Sequence, residues 1–130
     1  MGRVLAIDYG KRWVGFAISD PLKLIANPLK ELDLKKGKLI EVIESILKEF
    51  EVDEIIIGLP ITMSGKKTPL YTEIREIKKD IEKRFRIKIS LWDERFTTKM
   101  AKDIDKESHK NAAAFLLQDY LNSLRLKDDN

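Results

Sequence analysis

The chain reads as a mixed α/β domain, a mixed sheet that starts antiparallel, finishes parallel and carries packed helices. Two observations predict this. Two short apolar runs, residues 4–7 and 13–18, flank a turn holding Gly10, Lys11 and Arg12, which is the pattern of a β-hairpin. Two later apolar runs, 54–58 and 86–92, each follow a segment with helical periodicity. Strands that alternate with helices after an antiparallel start imply parallel neighbours joined by helical crossovers.

The elements follow in order. Val4, Leu5, Ala6 and Ile7 suffice for a buried strand, which ends in Asp8 and a turn over 9–12. A carboxylate after four apolar residues is poorly solvated, and a cation or an ion pair with Arg or Lys would satisfy it. The plain alternative is a turn aspartate with no chemical role. Ser19, Asp20 and Pro21 are turn chemistry. Residues 25–34 contain Pro28, which restricts them to an edge or irregular strand. Lys35, Lys36, Gly37 and Lys38 form a basic turn, and apolar positions 39, 43, 46, 47 and 50 then mark an amphipathic helix. After a short connection, three consecutive isoleucines in 54–58 indicate a buried strand ended by Gly58, Leu59 and Pro60.

A small, polar and basic loop over 61–68 carries Ser64, Gly65, Lys66 and Lys67. Pro69 then stands near the start of a second helix with Leu70, Ile74, Ile77, Ile81 and Phe85 on one face. Residues 86–92 form the last strand, turning Ile87, Ile89 and Leu91 inward, with Asp93, Glu94 and Arg95 directly after it. Residues 98–104 are a short helix or loop. Ser108 is the N-cap of a final helix that reaches about residue 124, and 126–130 form a polar tail.

With 130 residues the expectation is one domain over 1–130, and 43% hydrophobic residues supply a core. Charged residues are 36%, a Lys- and Glu-rich balance that fits a thermophilic source. The absence of cysteine excludes disulfides, thiolate metal sites and a catalytic thiol, so a metal would need carboxylates or the single histidine, His109. A net charge of +3 permits a nucleic-acid partner without demanding one. No apolar run is long enough to span a bilayer, and Asp8 interrupts any signal-peptide core. Position 6 lacks the Ser or Thr of a myristoylation signal, so the expectation is a soluble cytoplasmic protein.

Three separated stretches offer metal ligands: Asp8 after the first strand, Asp93 and Glu94 after the last, and His109 opening the last helix. If those strands are neighbours, the acids converge on one rim of the sheet, at the carboxyl ends where α/β sheets bind ligands. Carboxylates grouped in this way suit Mg²⁺ or Mn²⁺ and two-metal phosphodiester hydrolysis. Measured from His109, Ala113, Leu116 and Tyr120 lie on one helical stripe, so His109 shares the packing face. The helix N-terminus favours its neutral form. Asp119 lies roughly 15 Å along the helix, too far to join His109. The alternative for His109 is a capping or surface residue. Arg95 suits a phosphate or an ordinary ion pair, and Lys11, Arg12, Lys66 and Lys67 flank a nucleic-acid backbone or are solvated charge. Trp13 and Trp92 read as core rather than as base-stacking platforms.

Taken together, the motifs resemble the YqgF/RuvX family. They are Asp8, Tyr9 and Gly10 with Gly15, Ala17, Ser19 and Asp20; Gly58, Leu59 and Pro60 with Met63 and Gly65; Asp93, Glu94 and Arg95 with Thr97, Thr98 and Ala101; and Ala112 and Ala113 with Leu117, Gln118, Tyr120 and Leu121. The resemblance implies an RNase H-like fold, with three antiparallel strands, two more parallel to the first, and helices on both faces. It implies a metal-dependent nuclease that uses Mg²⁺ or Mn²⁺. Members are described as pre-16S rRNA nucleases maturing the 5′ end of that RNA, and earlier as Holliday-junction resolvases by analogy with RuvC. Asp8 and Glu94 carry over as metal-binding acids, with Asp93 a further candidate. The third family acid falls at position 109, where this chain has histidine, which can ligate Mn²⁺ or Mg²⁺ from the same place. Lys11, Arg12, Lys66, Lys67, Arg95, Thr97 and Thr98 are the substrate-binding candidates.

The implied partners are structured RNA, DNA junctions and ribosomal particles. A resolvase would need a symmetric homodimer rather than a monomer, and no strongly apolar exposed stripe announces one. Two other classes compete. A non-catalytic RNA-binding assembly factor would follow if His109 disables the site. An actin-like kinase or ATPase also opens with Asp-x-Gly on a hairpin but needs two such domains to enclose a nucleotide, and this length supplies one.

Overall fold

A computed structural model of the chain describes residues 2–59, 69–93 and 109–128. Its elements are β1 (Arg3–Tyr9), β2 (Trp13–Ser19), β3 (Ala26–Asp33), α1 (Leu39–Glu49), β4 (Val52–Leu59), α2 (Pro69–Phe85), β5 (Lys88–Asp93) and α3 (His109–Asp128). They form one five-stranded sheet in the order β3-β2-β1-β4-β5. β2 runs antiparallel to β1 and β3, whereas β4 is parallel to β1 and to β5.

Strand alternation divides the interior into two cores. On one face Leu5, Ile7, Phe16, Ile55 and Ile57 pack against Ile43 and Ile46 of α1 and Ile74 and Ile81 of α2. On the other, Val4, Ala6, Ala17 and Ile56 pack against Ala113, Leu116, Leu117, Tyr120 and Leu121 of α3. Helices thus cover both faces. Ile55, Ile56 and Ile57 are all fully buried, which is why β4 reads as a continuous apolar run rather than an alternating one. The central strands offer α3 mostly small residues, Ala6, Gly15 and Ala17, so the helix can lie close to the sheet.

Pro28 sits on the edge strand β3 opposite Ala17, at a register shift in the β2–β3 ladder, where its missing N–H is tolerated. Other boundaries differ from the sequence reading. β1 continues through Asp8 and Tyr9, so the hairpin turn is shorter, closed by the Gly10 N–H donating to the Trp13 carbonyl at 3.0 Å. β5 starts at Lys88 because Arg86 adopts a left-handed φ of 52° and donates its N–H back to the Glu82 carbonyl of α2 at 3.0 Å. α3 runs to Asp128, so residues 126–128 are its last turn rather than a polar tail. Leu126 is exposed. Among the described residues no helix is long and apolar enough to cross a membrane.

Candidate active site

Asp8 is the penultimate residue of β1, and alternation puts it on the α3 face with Val4 and Ala6. Its partner on β2 is Gly15, whose partner on β3 is Glu31. On the other side Ile7 pairs with Ile57, and the next step of that parallel register brings Gly58 beside Asp8. Gly58 pairs in turn with Trp92 of β5. One row across the sheet therefore reads Glu31, Gly15, Asp8, Gly58, Trp92. The carboxylate has a glycine on either side, so no neighbouring strand side chain crowds it.

Gly15 carries the start of α3. A Cβ at that position would run into the His109 carbonyl group and stand 3.1 Å from the Lys110 nitrogen. Only hydrogen lets the helix begin there. Glu31 completes the seat, accepting the His109 backbone N–H at 2.7 Å and placing negative charge at the positive end of the helix. The result is an open cleft of about 220 Å³ lined by Asp8, Gly10, Lys11, Arg12, Trp13 and His109.

The Trp13 indole stacks on the His109 imidazole, with ring centroids 5.5 Å apart and planes 8° from parallel. The Arg12 guanidinium lies over the Trp13 ring at 5.5 Å. It is anchored in turn by Nε and Nη2, which donate to Asp33 Oδ1 and Oδ2 at 3.3 and 3.1 Å. Asp33 also accepts the Lys35 N–H at 3.0 Å. The Arg12 hydrogen bonds, then the Lys35 N–H, hold the Asp33 carboxyl below the usual carboxylate range, and Asp33 raises Arg12 in return.

Two expectations need correction. Trp13 is not a core residue: it is 38% exposed at the mouth of the cleft. Among the described residues, α3 covers its face of β2 as far as Gly15, where the helix begins, and Trp13 lies two residues beyond. Trp92 does pack, edge-on to Tyr120 at 5.2 Å, with its indole N–H donating to Asp119 at 3.0 Å. Asp93 does not face Asp8. It follows Ile89 and Leu91 in the alternation and so points to the opposite face of the sheet, whereas Trp92 shares the Asp8 face. Glu94, Arg95, Thr97, Thr98, Lys66 and Lys67 lie outside the described residues.

The donors that are described suit a hard divalent cation in part. Asp8 supplies carboxylate oxygens and His109 an imidazole nitrogen to one cleft. No group of three or more His, Asp or Glu arranged for a metal occurs among the described residues. Gly15, Glu31 and the aromatic role of Trp13 were beyond sequence reasoning about the site. Gly15 entered only as one of the family-motif residues, because a hairpin drawn with its turn over 9–12 puts Trp13 and not Gly15 opposite Asp8.

Residues 2–123 match the family described as RuvX: Holliday junction resolvase. A protein of Caldicellulosiruptor saccharolyticus named "Putative pre-16S rRNA nuclease" is 38% identical over 132 residues, covering 92% of this chain and 96% of that protein. A protein of the same name from Dictyoglomus turgidum is 36% identical over 136 residues, covering 95% and 96%. Among solved structures, the T. thermophilus RuvC in complex with a Holliday junction substrate superposes with a TM-score of 0.59 at 12% identity, covering 96% of each chain. That likeness bears on the fold, which is RNase H-like. Matched along nearly its whole length by the family and by relatives of the same size, the chain belongs to the RuvX family.

Proposed function

We propose that this protein is a metal-dependent nuclease that hydrolyses nucleic-acid phosphodiester bonds and processes the 5′ end of pre-16S rRNA in ribosome biogenesis. The observation that carries the reading is the meeting of Asp8 and His109 in one open cleft at the carboxyl end of β1, in a chain of this family. The names of the curated relatives supply the RNA. Asp8, Glu94 and His109 are the residues that would hold Mg²⁺ or Mn²⁺. When bound, such an ion lowers the pKa of an attacking water and neutralises charge on the phosphate. Asp93 is left out because its side chain belongs to the other face, and Glu94 keeps the role that the family resemblance gives it.

Lys11 lines the same cleft and is assigned to a substrate phosphate. Arg12 commits one N–H each of Nε and Nη2 to Asp33, which leaves Nη1 and the second Nη2 hydrogen for substrate. Lys66, Lys67, Arg95, Thr97 and Thr98 are assigned to the nucleic-acid backbone, since ammonium, guanidinium and hydroxyl groups match phosphate oxygens. The setting is the cytoplasm, with ribosomal particles as partners.

A second reading, a junction resolvase acting as a symmetric dimer, is favoured by the description of the family. One experiment separates the two. End-labelled precursor rRNA, an RNA–DNA hybrid and a four-way DNA junction are each incubated with wild type and Asp8→Asn, in Mg²⁺, Mn²⁺ or EDTA. Metal-dependent cutting of the RNA, abolished in Asp8→Asn while RNA binding persists, is the expected result. Paired cuts in the junction alone would transfer the protein to recombination. RNA binding without cutting by wild type would sink the enzymatic reading.

A further inference from the structure

We infer that Trp13 is a positioning residue for His109, holding the imidazole plane so that its ring nitrogens are presented to the cleft shared with Asp8. The inference rests on the metal-site reading above and extends it to a residue outside the ligand set. Its ground is the stack itself, nearly parallel at 8°, formed by a tryptophan that is 38% exposed and absent from both cores. A large aromatic left this open has little to do for the fold. Among the described residues neither core accounts for its place, but the ring it covers does.

The chemistry of an imidazole ligand makes the plane matter. The lone pair of the unprotonated ring nitrogen lies in the plane of the ring, so a ligand histidine must have its plane set before it can aim. A histidine at the first residue of a helix, only half-buried, would otherwise sample several rotamers. The indole removes that freedom by covering one face. The indole is itself held: Arg12 sits over its ring, and Arg12 is fixed by paired hydrogen bonds to buried Asp33 at the end of β3. Trp13 also pairs with Asp33 across the β2–β3 ladder, so support and supported side chains share one register. The backbone of His109 is set separately, by Gly15 beneath it and Glu31 on its N–H. Backbone and ring are thus constrained by different residues, and the ring can be released without disturbing the helix.

The chain has one histidine, so its ring protons are observable by NMR without ambiguity. The test compares wild type, Trp13→Ala, Trp13→Phe and His109→Ala, with Mn²⁺ alone as the probe, its affinity measured by calorimetry. Circular dichroism confirms that each variant is folded. In wild type the His109 ring protons carry the ring-current shift of a stacked indole. Trp13→Ala is expected to abolish that shift and to weaken Mn²⁺ binding by about tenfold, the low end for loss of a residue that orients a metal ligand. Trp13→Phe is expected to keep most of both. In a His109→Ala background, Trp13→Ala is expected to have no further effect on Mn²⁺. Unchanged Mn²⁺ affinity in Trp13→Ala would overturn the inference, as would a loss of RNA affinity in EDTA with Mn²⁺ binding intact, which would make Trp13 a substrate contact. If His109→Ala binds Mn²⁺ like wild type, the metal-site reading itself fails, and that failure shows on a different variant.

Discussion

At the scale of single residues, Asp20 shows how much one carboxylate can organise. It accepts the N–H groups of Leu22 at 3.3 Å and of Leu24 and Ile25 at 2.8 Å, closing the β2–β3 connection from its first residue. The Ile25 and Leu24 N–H groups hold its carboxyl below the usual carboxylate range. Because the folded value lies below the unfolded one, the stabilisation is present above the unfolded pKa, about 4, and is lost as pH falls through the folded value. Asp33 acts in the same direction through Arg12. Urea midpoints should therefore fall for wild type as pH drops below about 4, and Asp20→Asn should show a lower midpoint at pH 7 with a flatter acid slope. An identical slope would remove Asp20 from the account. Buried Glu54 presents a different case. It accepts the Tyr120 hydroxyl at 2.7 Å and the Ser90 hydroxyl at 3.3 Å, with the Lys88 ammonium at 3.5 Å. Burial, then Glu54, pushes the Tyr120 hydroxyl well above its ordinary pKa, so it remains a donor throughout the working range. Tyr120→Phe removes the shortest of these bonds from a buried carboxylate and should cost about 1–3 kcal/mol in urea unfolding, with the cleft unaffected.

At the scale of elements, α3 links the second core to the cleft, and Gly15 sets its height. Gly15→Ala would force the His109 carbonyl away and tilt the first turn off the sheet. The expected cost is about 1–3 kcal/mol, the range for an extra methyl in a packed site, together with weaker Mn²⁺ binding. Gly37→Ala is the control: its new methyl would meet only the terminal Leu32 Cδ1, at 2.9 Å, which a rotamer change can relieve. Equal losses in the two variants would show that Gly15 is an ordinary packing position. The elements themselves were legible because their signals are local. The 3.6-residue spacing marked α1 and α2, the isoleucine run marked β4, and Pro28 marked an edge. Their ends were less legible, since Arg86 at positive φ and the extension of β1 through Tyr9 depend on backbone hydrogen bonds that carry no compositional mark. The site divides in the same way. Asp8 and His109 stood out as a carboxylate closing an apolar run and a lone imidazole. Trp13, Gly15 and Glu31 act only through cross-strand register and the landing point of a helix far away in sequence, and the facing of Asp93 depends on the bounds of β5.

At the scale of the whole molecule, the sheet separates two cores that share β4 but serve different ends. Ile55 faces α1 and α2, away from the cleft, whereas its neighbour Ile56 faces α3. Both are completely buried, so Ile55→Ala and Ile56→Ala should each cost about 2–5 kcal/mol through lost contacts and residual cavities. Their consequences for the cleft should differ. A cavity beneath α3 loosens the layer that carries His109, while a cavity beneath α1 and α2 leaves α3 on an intact surface. Under conditions where both variants are fully folded, Mn²⁺ affinity should fall in Ile56→Ala and hold in Ile55→Ala, although their urea midpoints fall alike. Loss of affinity in both would mean that the sheet transmits disturbance between its faces and that the cleft depends on the rigidity of the whole sandwich. Loss in neither would mean that Gly15 and Glu31 at the first turn are sufficient to hold the helix start, with the rest of α3 serving only stability.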